Sequence, residues 1–461
     1  MRKLVAGFVV GFVMSAPAAG QGVSLNRPGS GARAAGMGNA FIAVSDDGTA
    51  ASWNPAGLSQ LRRPELSVVF NASRRAEDLD GFGAVDRTAL FGHIGSATTT
   101  ANLEFASGAL PLTVFGKPVT IQAGWRRLFD YSGGIEGDVT RVPFSAGSRP
   151  ESVVHLDNGS DGHVNLVTLA GAIRINRRLS LGIGTEFYRG RWSDHVSAIE
   201  TPGFVDPADS VSSGGTNALD GHAFNLGVLL AYPTVRFGVV YHGPLKTGFE
   251  ITRTRRSNLA PPIDGGAGPD DGLTIQFPRS VGAGVAWLPR PLLRLALDIT
   301  FDRWTEFLVE GPPGSDLSQS GFDGLAPELS ATRNTVTLNA GMERLFPVEG
   351  RFVPLRLGMS LEPQGARDPF LRAEAHHTVL AAGTGLNSNN VKLDIALEYR
   401  WGRFDQTMSL APVYQAGLAE ELGLALPPEA QGTAGFREVR LKVSMIYRIT
   451  RSEGSGSTSS K

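Results

Sequence analysis

Long segments of this chain alternate apolar and polar residues with a period of two, and this pattern restricts the possible folds more than any other feature. Leu181 and Ile183 fall on one face of a strand while Gly182 falls on the other. The same alternation runs through 293–301 and 439–449. Sandwich strands alternate too, but they average about 5–6 residues. These segments run longer, closer to the roughly 9–11 tilted residues that cross a bilayer.

Strands assigned by this rule number about fourteen, with boundaries loose by a few residues. The predicted strands are 64–74, 98–112, 117–131, 162–175, 178–194, 219–232, 234–256, 273–288, 292–307, 332–346, 351–363, 374–387, 390–404 and 435–450. Their connections alternate between short turns and long loops, as in outer-membrane barrels with periplasmic turns and external loops. The sequence therefore predicts an all-β fold, a closed antiparallel transmembrane β-barrel located in a bacterial outer membrane.

The two ends of the chain differ in composition from the strands. Residues 1–20 have the features of an export signal peptide, with a basic start, an apolar run and a small-residue cleavage region. Residues 21–62 precede the first strand, 63–450 would form the barrel, and 451–461 are predicted to be a disordered polar tail. After the signal, no run of about eighteen apolar residues exists, so strands would have to cross the membrane.

Composition and motifs argue against several function classes. The chain has no cysteine, which excludes disulfides, thiolate metal sites and thiol nucleophiles. Its 43 basic and 44 acidic residues give no positive excess for a nucleic-acid partner. No Gly-x-Ser-x-Gly elbow occurs and the histidines are scattered. We predict that the chain is not an enzyme, and we assign no catalytic, metal-binding or cofactor-binding residue.

Tryptophans near the predicted strand ends are candidates for the aromatic girdles of a membrane barrel. Trp192, Trp304 and Trp401 lie at the loop ends of their strands, and Trp287 lies beside a short turn. We predict that these side chains face the membrane interface. The alternative is that tryptophans fall at strand ends by chance.

A basic cluster at Arg253, Arg255 and Arg256 marks the outer end of the seventh predicted strand. Guanidinium groups pair bidentately with phosphate oxygens, so lipopolysaccharide phosphates are candidate partners. A solvated run of charges is an equally good interpretation.

The segment before the first strand is rich in glycine and alanine and contains three motifs. They are Gly31–Phe41 (GARAAGMGNAF), Asp46–Ala50 (DDGTA) and Trp53–Leu58 (WNPAGL). Small residues let a chain fold tightly inside a lumen, and Asn-Pro favours a turn because proline keeps the preceding residue out of the helical region. Arg33, Asp46 and Asp47 should pair with lumen charges, since isolated buried charges are costly.

This segment resembles the N-terminal hatch of the FadL family of hydrophobic-compound transporters. Residues 277–287 and 236–244 are also similar to family segments, so the resemblance covers nearly the whole mature chain except the loops. The resemblance implies an outer-membrane transporter for hydrophobic small molecules, with long-chain fatty acids as the leading substrate class and aromatic hydrocarbons second. The ligand would leave through a gap in the wall when the hatch shifts.

The resemblance also implies site residues. A hatch or gating role is expected for Arg33, Gly36, Gly38, Asp46, Asp47, Asn54, Pro55 and Ala56. The family's lateral gap arises from a kink in the third strand, for which Gly124 is a candidate here. The expected partners are a hydrophobic ligand and outer-membrane lipid, including lipopolysaccharide, and the expected state is a monomer.

Two alternatives share the fold. Part of the N-terminal pattern also occurs in PorV-like barrels, which serve as attachment or shuttle partners in protein secretion. Such a protein needs a loop surface that grips a protein, whereas a transporter needs an apolar pocket behind the hatch. A water-filled porin is disfavoured because the N-terminal segment resembles a plug.

Overall fold

The structure is a computed structural model that describes residues 26–85, 88–143, 152–202, 207–258, 263–267, 272–322, 326–367, 374–406 and 432–449. The predicted signal peptide (1–20) and the predicted polar tail (451–461) lie outside the described residues. Within the described ranges, no helix is both long enough and apolar enough to cross a membrane.

Strands make up most of the described chain. In chain order they are β1 (Glu65–Val85), β2 (Thr88–Val114), β3 (Lys117–Asp130), β4 (Gly133–Pro143), β5 (Ser152–Arg174), β6 (Leu179–Thr201), β7 (Asp209–Ala231), β8 (Val235–His242), β9 (Leu245–Ser257), β10 (Ile263–Ala267), β11 (Leu273–Phe277), β12 (Ser280–Arg290), β13 (Leu293–Asp302), β14 (Leu308–Glu310), β15 (Ser318–Ser320), β16 (Thr335–Val348), β17 (Arg351–Arg367), β18 (Glu374–Asn387), β19 (Val391–Gln406) and β20 (Gly432–Arg448). Helical segments in the described residues are α1 (Ala32–Gly36) and 3₁₀ turns at Ala50–Ser52, Pro55–Gln60 and Trp304–Glu306.

The sheet closes into a barrel because β1 pairs antiparallel with both β2 and β20. Fourteen strands form the barrel wall. The strands β8 and β9 make one crossing interrupted near Pro244, and β11 and β12 make the neighbouring crossing, interrupted near Pro278. Proline lacks the N–H that a ladder requires. The two interruptions lie side by side, because His242 pairs with Ser280 and Leu245 pairs with Phe277. The predicted closed antiparallel barrel is confirmed.

Alternate residues of the crossing strands face opposite environments, as the period-two pattern predicts. On β13, Leu297 and Ile299 are 54% and 47% exposed, whereas Asp298 between them is 1% exposed. The same division holds on β20, where Leu441 and Met445 face outward and Ser444 is buried. The apolar face therefore forms an outer belt, and the polar face lines the lumen.

Several strands continue far beyond their predicted ends. The segments 75–97, 132–161 and 195–218, which the sequence predicts to be loops, contain long parts of β1, β2, β5, β6 and β7 together with all of β4. Residues 193–200 of β6, for example, pair with both β5 and β7. Beyond the apolar belt polar residues occupy the outward face, so the apolar alternation fades while the hydrogen-bonded ladder continues.

The barrel has two distinct ends. The short-turn end carries the tight connections, such as those between β2 and β3 and between β5 and β6, and the long-loop end carries the others. Inside the lumen, residues 26–62 lie towards the short-turn end, and a cluster of aromatic side chains lies towards the long-loop end. These two layers position the candidate site.

Candidate functional site

Residues 26–62, named here the hatch segment, lie inside the barrel. Helix α1 contacts β17, β18, β19 and β20, while the turn Pro55–Gln60 contacts β3, β5, β6 and β7. Nearly every residue from 29 to 59 is buried. Because its two halves contact different sides of the wall, the segment spans the lumen.

Glycines allow the hatch backbone to approach the wall closely. A Cβ atom on Gly36 would lie 3.1 Å from the Cα of Gly383. Gly38 adopts φ +60°, a region that favours glycine, and a Cβ there would overlap the backbone of Met359. The wall supplies matching inward-facing glycines, which a side chain would drive into the hatch. They are Gly182, Gly227, Gly238, Gly284, Gly341 and Gly358.

Asn54, Pro55 and Ala56 join the hatch to the wall. The backbone of Asn54 is extended (φ −152°, ψ 108°), as a residue before proline prefers. Its side-chain oxygen accepts from the Ala56 N–H at 3.1 Å and so caps the 3₁₀ turn. Its amide nitrogen donates to the carbonyls of Ile42 in the hatch and Val228 in β7. Ala56 is fully buried beside Gly182.

The charged hatch residues meet lumen charges, as the sequence predicts. Arg33 forms a bidentate pair with Glu343 of β16 at 2.8 Å for both hydrogen bonds, and it also contacts Asp46. Asp47 accepts from Lys392 of β19 at 3.0 Å. On the wall side, Arg294 and Arg356 also bond to Glu343, at 3.0 and 2.9 Å. The resulting hatch–wall ion network is buried, so its pairs are shielded from solvent.

The hatch carboxylates are held in their ionised form. Burial by itself would raise the pKa of the Asp47 carboxyl, but Lys392 and Arg33 lower this pKa below its ordinary value. Burial likewise opposes ionisation of Asp46, and Arg33 and Arg294 together lower the pKa of Asp46. Both groups therefore carry the negative charge that the network requires.

Two wall residues with a role in holding the hatch were not singled out in the sequence. Asp298 of β13 accepts from the backbone N–H groups of Phe41 and Ile42 at 2.6 and 2.7 Å. Glu343 is shared by three guanidinium groups. The alternation in the sequence places both carboxylates on the lumen face. Their partners in the hatch depend on contacts between distant residues, which the alternation does not encode.

A cluster of aromatic side chains fills the lumen between the hatch and the long-loop end. Tyr131 stacks on Trp192 with ring centroids 4.7 Å apart, and Phe307 packs edge-on against Phe322 at 4.9 Å. The aromatic members are Phe129, Tyr131, Tyr188, Trp192, Phe249, Phe277, Trp304, Phe307 and Phe322. Named here the aromatic cluster, it belongs to the largest group of packed, buried hydrophobic side chains described in the barrel.

This cluster corrects part of the girdle prediction. Trp192 and Trp304 are each only 2% exposed and belong to the lumen interior, not to the membrane interface. The position of Trp192 follows from strand parity, since it shares the face of Glu186 on β6. Trp287 is 52% exposed on the outer surface, as predicted. Trp401 is half-buried and stacks on Tyr399.

A cavity of about 150 Å³ lies between the start of the hatch and the wall. Most of its charged side chains are paired, as in Lys442 with Glu104 at 2.9 Å and Arg440 with Glu438 at 2.9 Å. Arg126 differs, because it donates to the Pro28 carbonyl at 2.6 Å but is in no ion pair with a described residue. The lining is mostly polar and holds four carboxylates as well as cations. Its residues are Asn26, Pro28, Gly29, Asn71, Ser73, Arg75, Thr98, Thr100, Asn102, Glu104, Arg126, Arg127, Leu128, Phe129, Asp130, Ser132, Glu362, Arg400, Glu438, Arg440 and Lys442.

The wall beside this cavity is interrupted. The pairing of β2 with β3 ends at Phe105 and Arg126, and β2 next pairs on that side with β4 from Gly95. Among described residues, 96–103 of β2 therefore pair only with β1, and Glu104 is skipped at a register shift of that ladder. The register of β3 with β5 shifts between Arg127 and Phe129, which makes Leu128 a bulge.

Gly124 does not lie at this interruption. It pairs with Ser107 of β2 and Thr168 of β5 in a continuous ladder. The break is centred three to five residues further along, at Arg127–Phe129. A glycine in a strand suggests a bulge, but the ladder continues through Gly124 without one, and the irregular pairing lies in the later segment. The role of Gly124 in a lateral gap stays a prediction.

The histidines and the basic cluster noted in the sequence do not join the hatch–wall ion network. In the described ranges, no three His, Asp or Glu side chains are grouped as metal ligands would be. His377 points inward and stacks on Phe436 at 4.6 Å, whereas His376 lies on the exposed face. Arg253, Arg255 and Arg256 lie in β9, and the side chains of Arg253 and Arg255 are outside what the structure describes.

Solved structures share this architecture. A Pseudomonas aeruginosa FadL homologue aligns with a TM-score of 0.60 and 14% identity over 92% of this chain and 99% of that chain. The P. putida toluene transporter TodX aligns with a TM-score of 0.57 and 13% identity over 93% and 100%. The Ralstonia pickettii toluene transporter TbuX aligns with a TM-score of 0.51 and 14% identity over 92% of this chain and 100% of that chain. At this identity the likeness establishes a FadL-like fold.

No protein-family model matches the sequence, and no curated protein matches it.

Proposed function

We propose that this chain is an outer-membrane transporter for hydrophobic small molecules, with long-chain fatty acids as the leading substrate class. Two features support a membrane position. The fold is shared with a FadL homologue and with toluene transporters, and large apolar side chains cover the outward face of the strands. In this proposal the short-turn end faces the periplasm and the long-loop end faces the exterior.

The observation that carries the proposal is the contact between the aromatic cluster and the cavity beside the interrupted wall. Phe129 belongs both to the aromatic cluster and to the cavity lining. Its neighbour Leu128 is the bulge at the break in β3 and also lines the cavity. An apolar molecule that enters past the aromatic rings would reach the cavity and then the part of β2 that pairs only with β1.

Arg126 makes no direct contact with a described carboxylate, although Glu186 and Glu104 attract its charge from further away. This arrangement favours a ligand with an anionic head. Arg126 is 7% exposed, and its guanidinium group bonds to a neutral carbonyl rather than to a carboxylate. A carboxylate would give this buried charge a bidentate, charge-assisted partner. A neutral aromatic hydrocarbon would not, so fatty acids rank above toluene-like compounds for this chain.

The hatch forms one side of the cavity and is therefore placed to act as its gate. Asn26, Pro28 and Gly29 line it, and Arg126 bonds directly to Pro28. A ligand carboxylate that binds Arg126 would compete with the Pro28 carbonyl and loosen the start of the hatch. In the proposed mechanism, Arg33, Gly36, Gly38, Asp46, Asp47, Asn54, Pro55 and Ala56 keep the rest of the hatch docked.

Release would then occur sideways, into the membrane. The outward residues in the part of β2 that pairs only with β1 are small and exposed, so they offer little steric barrier. They are Ala97, Thr99 and Ala101. Across the break, Asn102 donates to Asp130 at 3.1 Å, which is a side-chain contact and easier to separate than a backbone ladder. A secretion-partner role is not proposed, since no observation in the described loops supports it. The monomeric state and lipopolysaccharide contact remain predictions.

Replacing Arg126 with glutamine should reduce fatty-acid uptake much more than uptake of a neutral aromatic compound. Loss of a charge-assisted pair costs about 1.5–3 kcal/mol, or roughly 10- to 100-fold in affinity. Uptake of radiolabelled oleate and toluene by cells making the wild type or Arg126→Gln measures this. Arg189→Gln, an exposed outward site on β6, is the matched control, and Arg126→Lys should retain part of the oleate uptake. Equal loss for oleate and toluene would contradict a carboxylate contact.

A further inference from the structure

Exposed arginines surround the short-turn end of the barrel. Arg62 and Arg63 precede β1, Arg177 and Arg178 form the β5–β6 turn, and Arg290 and Arg351 flank two further turns. These six residues are named here the arginine rim. Because their turns connect strands around much of the circumference, the positive charge forms a band rather than a single patch.

Negative charge is almost absent from the same level. Among the short turns and residues 61–64 that the structure describes, Glu349 is the one acidic residue. No member of the arginine rim is in an ion pair with a described residue, and Arg178 lies over the ring of Tyr232 at 5.0 Å. The long-loop end differs, because there exposed acidic and basic residues mix and pair, as in Arg437 with Asp78 at 2.8 Å.

Large apolar side chains accompany the rim. Trp287 near Arg290 is 52% exposed, Phe352 beside Arg351 is 45% exposed, and Ile175 near Arg177 is 37% exposed. Cations next to exposed aromatic and aliphatic groups match the boundary between headgroups and acyl chains, where aromatic belts also lie. An exposed apolar side chain beside an arginine would be less favourable in open solvent than against a lipid, which offers both acyl chains and a headgroup.

We infer that the arginine rim binds the phosphates of anionic phospholipids, such as phosphatidylglycerol, in the leaflet at the short-turn end. A lipid annulus surrounds a barrel on all sides, which fits a band of charge that is spread over many turns. A protein partner would require a patch on one side. The inference rests on the proposed membrane position and goes beyond the transport function.

The test compares lipids bound at the barrel surface. Purified protein is reconstituted in phosphatidylcholine bilayers that contain spin-labelled phosphatidylglycerol or spin-labelled phosphatidylcholine, and electron paramagnetic resonance measures the immobilised fraction of each. The wild type should prefer phosphatidylglycerol, and added salt should weaken this preference. A variant with Arg177→Gln, Arg178→Gln, Arg290→Gln and Arg351→Gln should lose it, by about five-fold at each site that loses its cation.

The matched control removes the same charge from the long-loop end, with Arg74→Gln, Arg189→Gln, Arg191→Gln and Arg403→Gln, all exposed outward sites. This control should keep the preference for phosphatidylglycerol. Equal association of the two lipids with the wild type, or equal loss in both variants, would overturn the inference and leave an acidic periplasmic protein as the partner to test. No substrate is used, so the result is independent of whether transport is demonstrated.

Discussion

Replacing Glu343 with glutamine is expected to release the hatch segment from the barrel wall. Glu343 is 5% exposed and bonds to Arg33 of the hatch and to Arg294 and Arg356 of the wall. Glutamine keeps the size but removes the charge, so three guanidinium groups lose their shared carboxylate. Removing one partner of a buried ion pair costs about 3–5 kcal/mol, which is enough to populate an undocked hatch.

Two measurements would detect the release of the hatch. Backbone amides of residues 32–58 should exchange hydrogen faster in Glu343→Gln than in the wild type, while amides of β6 and β7 stay protected. Cells making the variant should also become more sensitive to a large hydrophilic antibiotic, because only the aromatic cluster would then obstruct the lumen. Glu349→Gln, at an exposed turn, is the control and should leave both properties unchanged. Unchanged exchange in Glu343→Gln would show that the ion network does not hold the hatch.

Replacing Gly358 with alanine is expected to push the hatch away from β17. A Cβ atom at this position would overlap the backbone of Met37 and Gly38. Both neighbours are backbone atoms in a tightly packed segment, so they cannot yield as a flexible side chain would. Overpacking of this kind costs about 1–3 kcal/mol. The expected result is a smaller version of the Glu343→Gln phenotype, with faster exchange concentrated in residues 32–40.

The control for this substitution is Gly171→Ala on β5. The nearest atom to a Cβ there is the Thr120 carbonyl oxygen at 3.9 Å, so the added methyl group meets ordinary contact distances. Hatch exchange in Gly171→Ala should equal that of the wild type. If Gly358→Ala also behaved like the wild type, the inward glycines would not be required for hatch docking.

Much of the fold could be predicted because a barrel wall repeats one simple rule. Outward side chains form an apolar surface and inward side chains line a polar lumen, so alternation alone assigns Leu297 outward and Asp298 inward. The pairing of Arg33, Asp46 and Asp47 with wall charges was also predictable, since buried charges must find partners. These inferences need only the local sequence and the cost of burial.

Other features depend on contacts between distant residues, which local patterns do not encode. Asp298 meets Phe41 and Ile42 across more than 250 positions of sequence. The wall break at Leu128 results from the registers of β2, β3 and β5 together. Trp192 is a different case, because its own strand parity placed it in the lumen. The girdle prediction used its position at the strand end and overlooked that parity.

Uptake of radiolabelled long-chain fatty acid by cells that lack their own transporter decides whether this barrel is a hatch-gated transporter. Cells making the wild type, a variant lacking residues 22–58, or no added protein are compared, with the amount inserted in the outer membrane determined for each. With the wild type we expect saturable uptake that unlabelled fatty acid competes away. In the variant that lacks residues 22–58 we expect altered saturation. Uptake equal to that of cells without the protein would contradict the account.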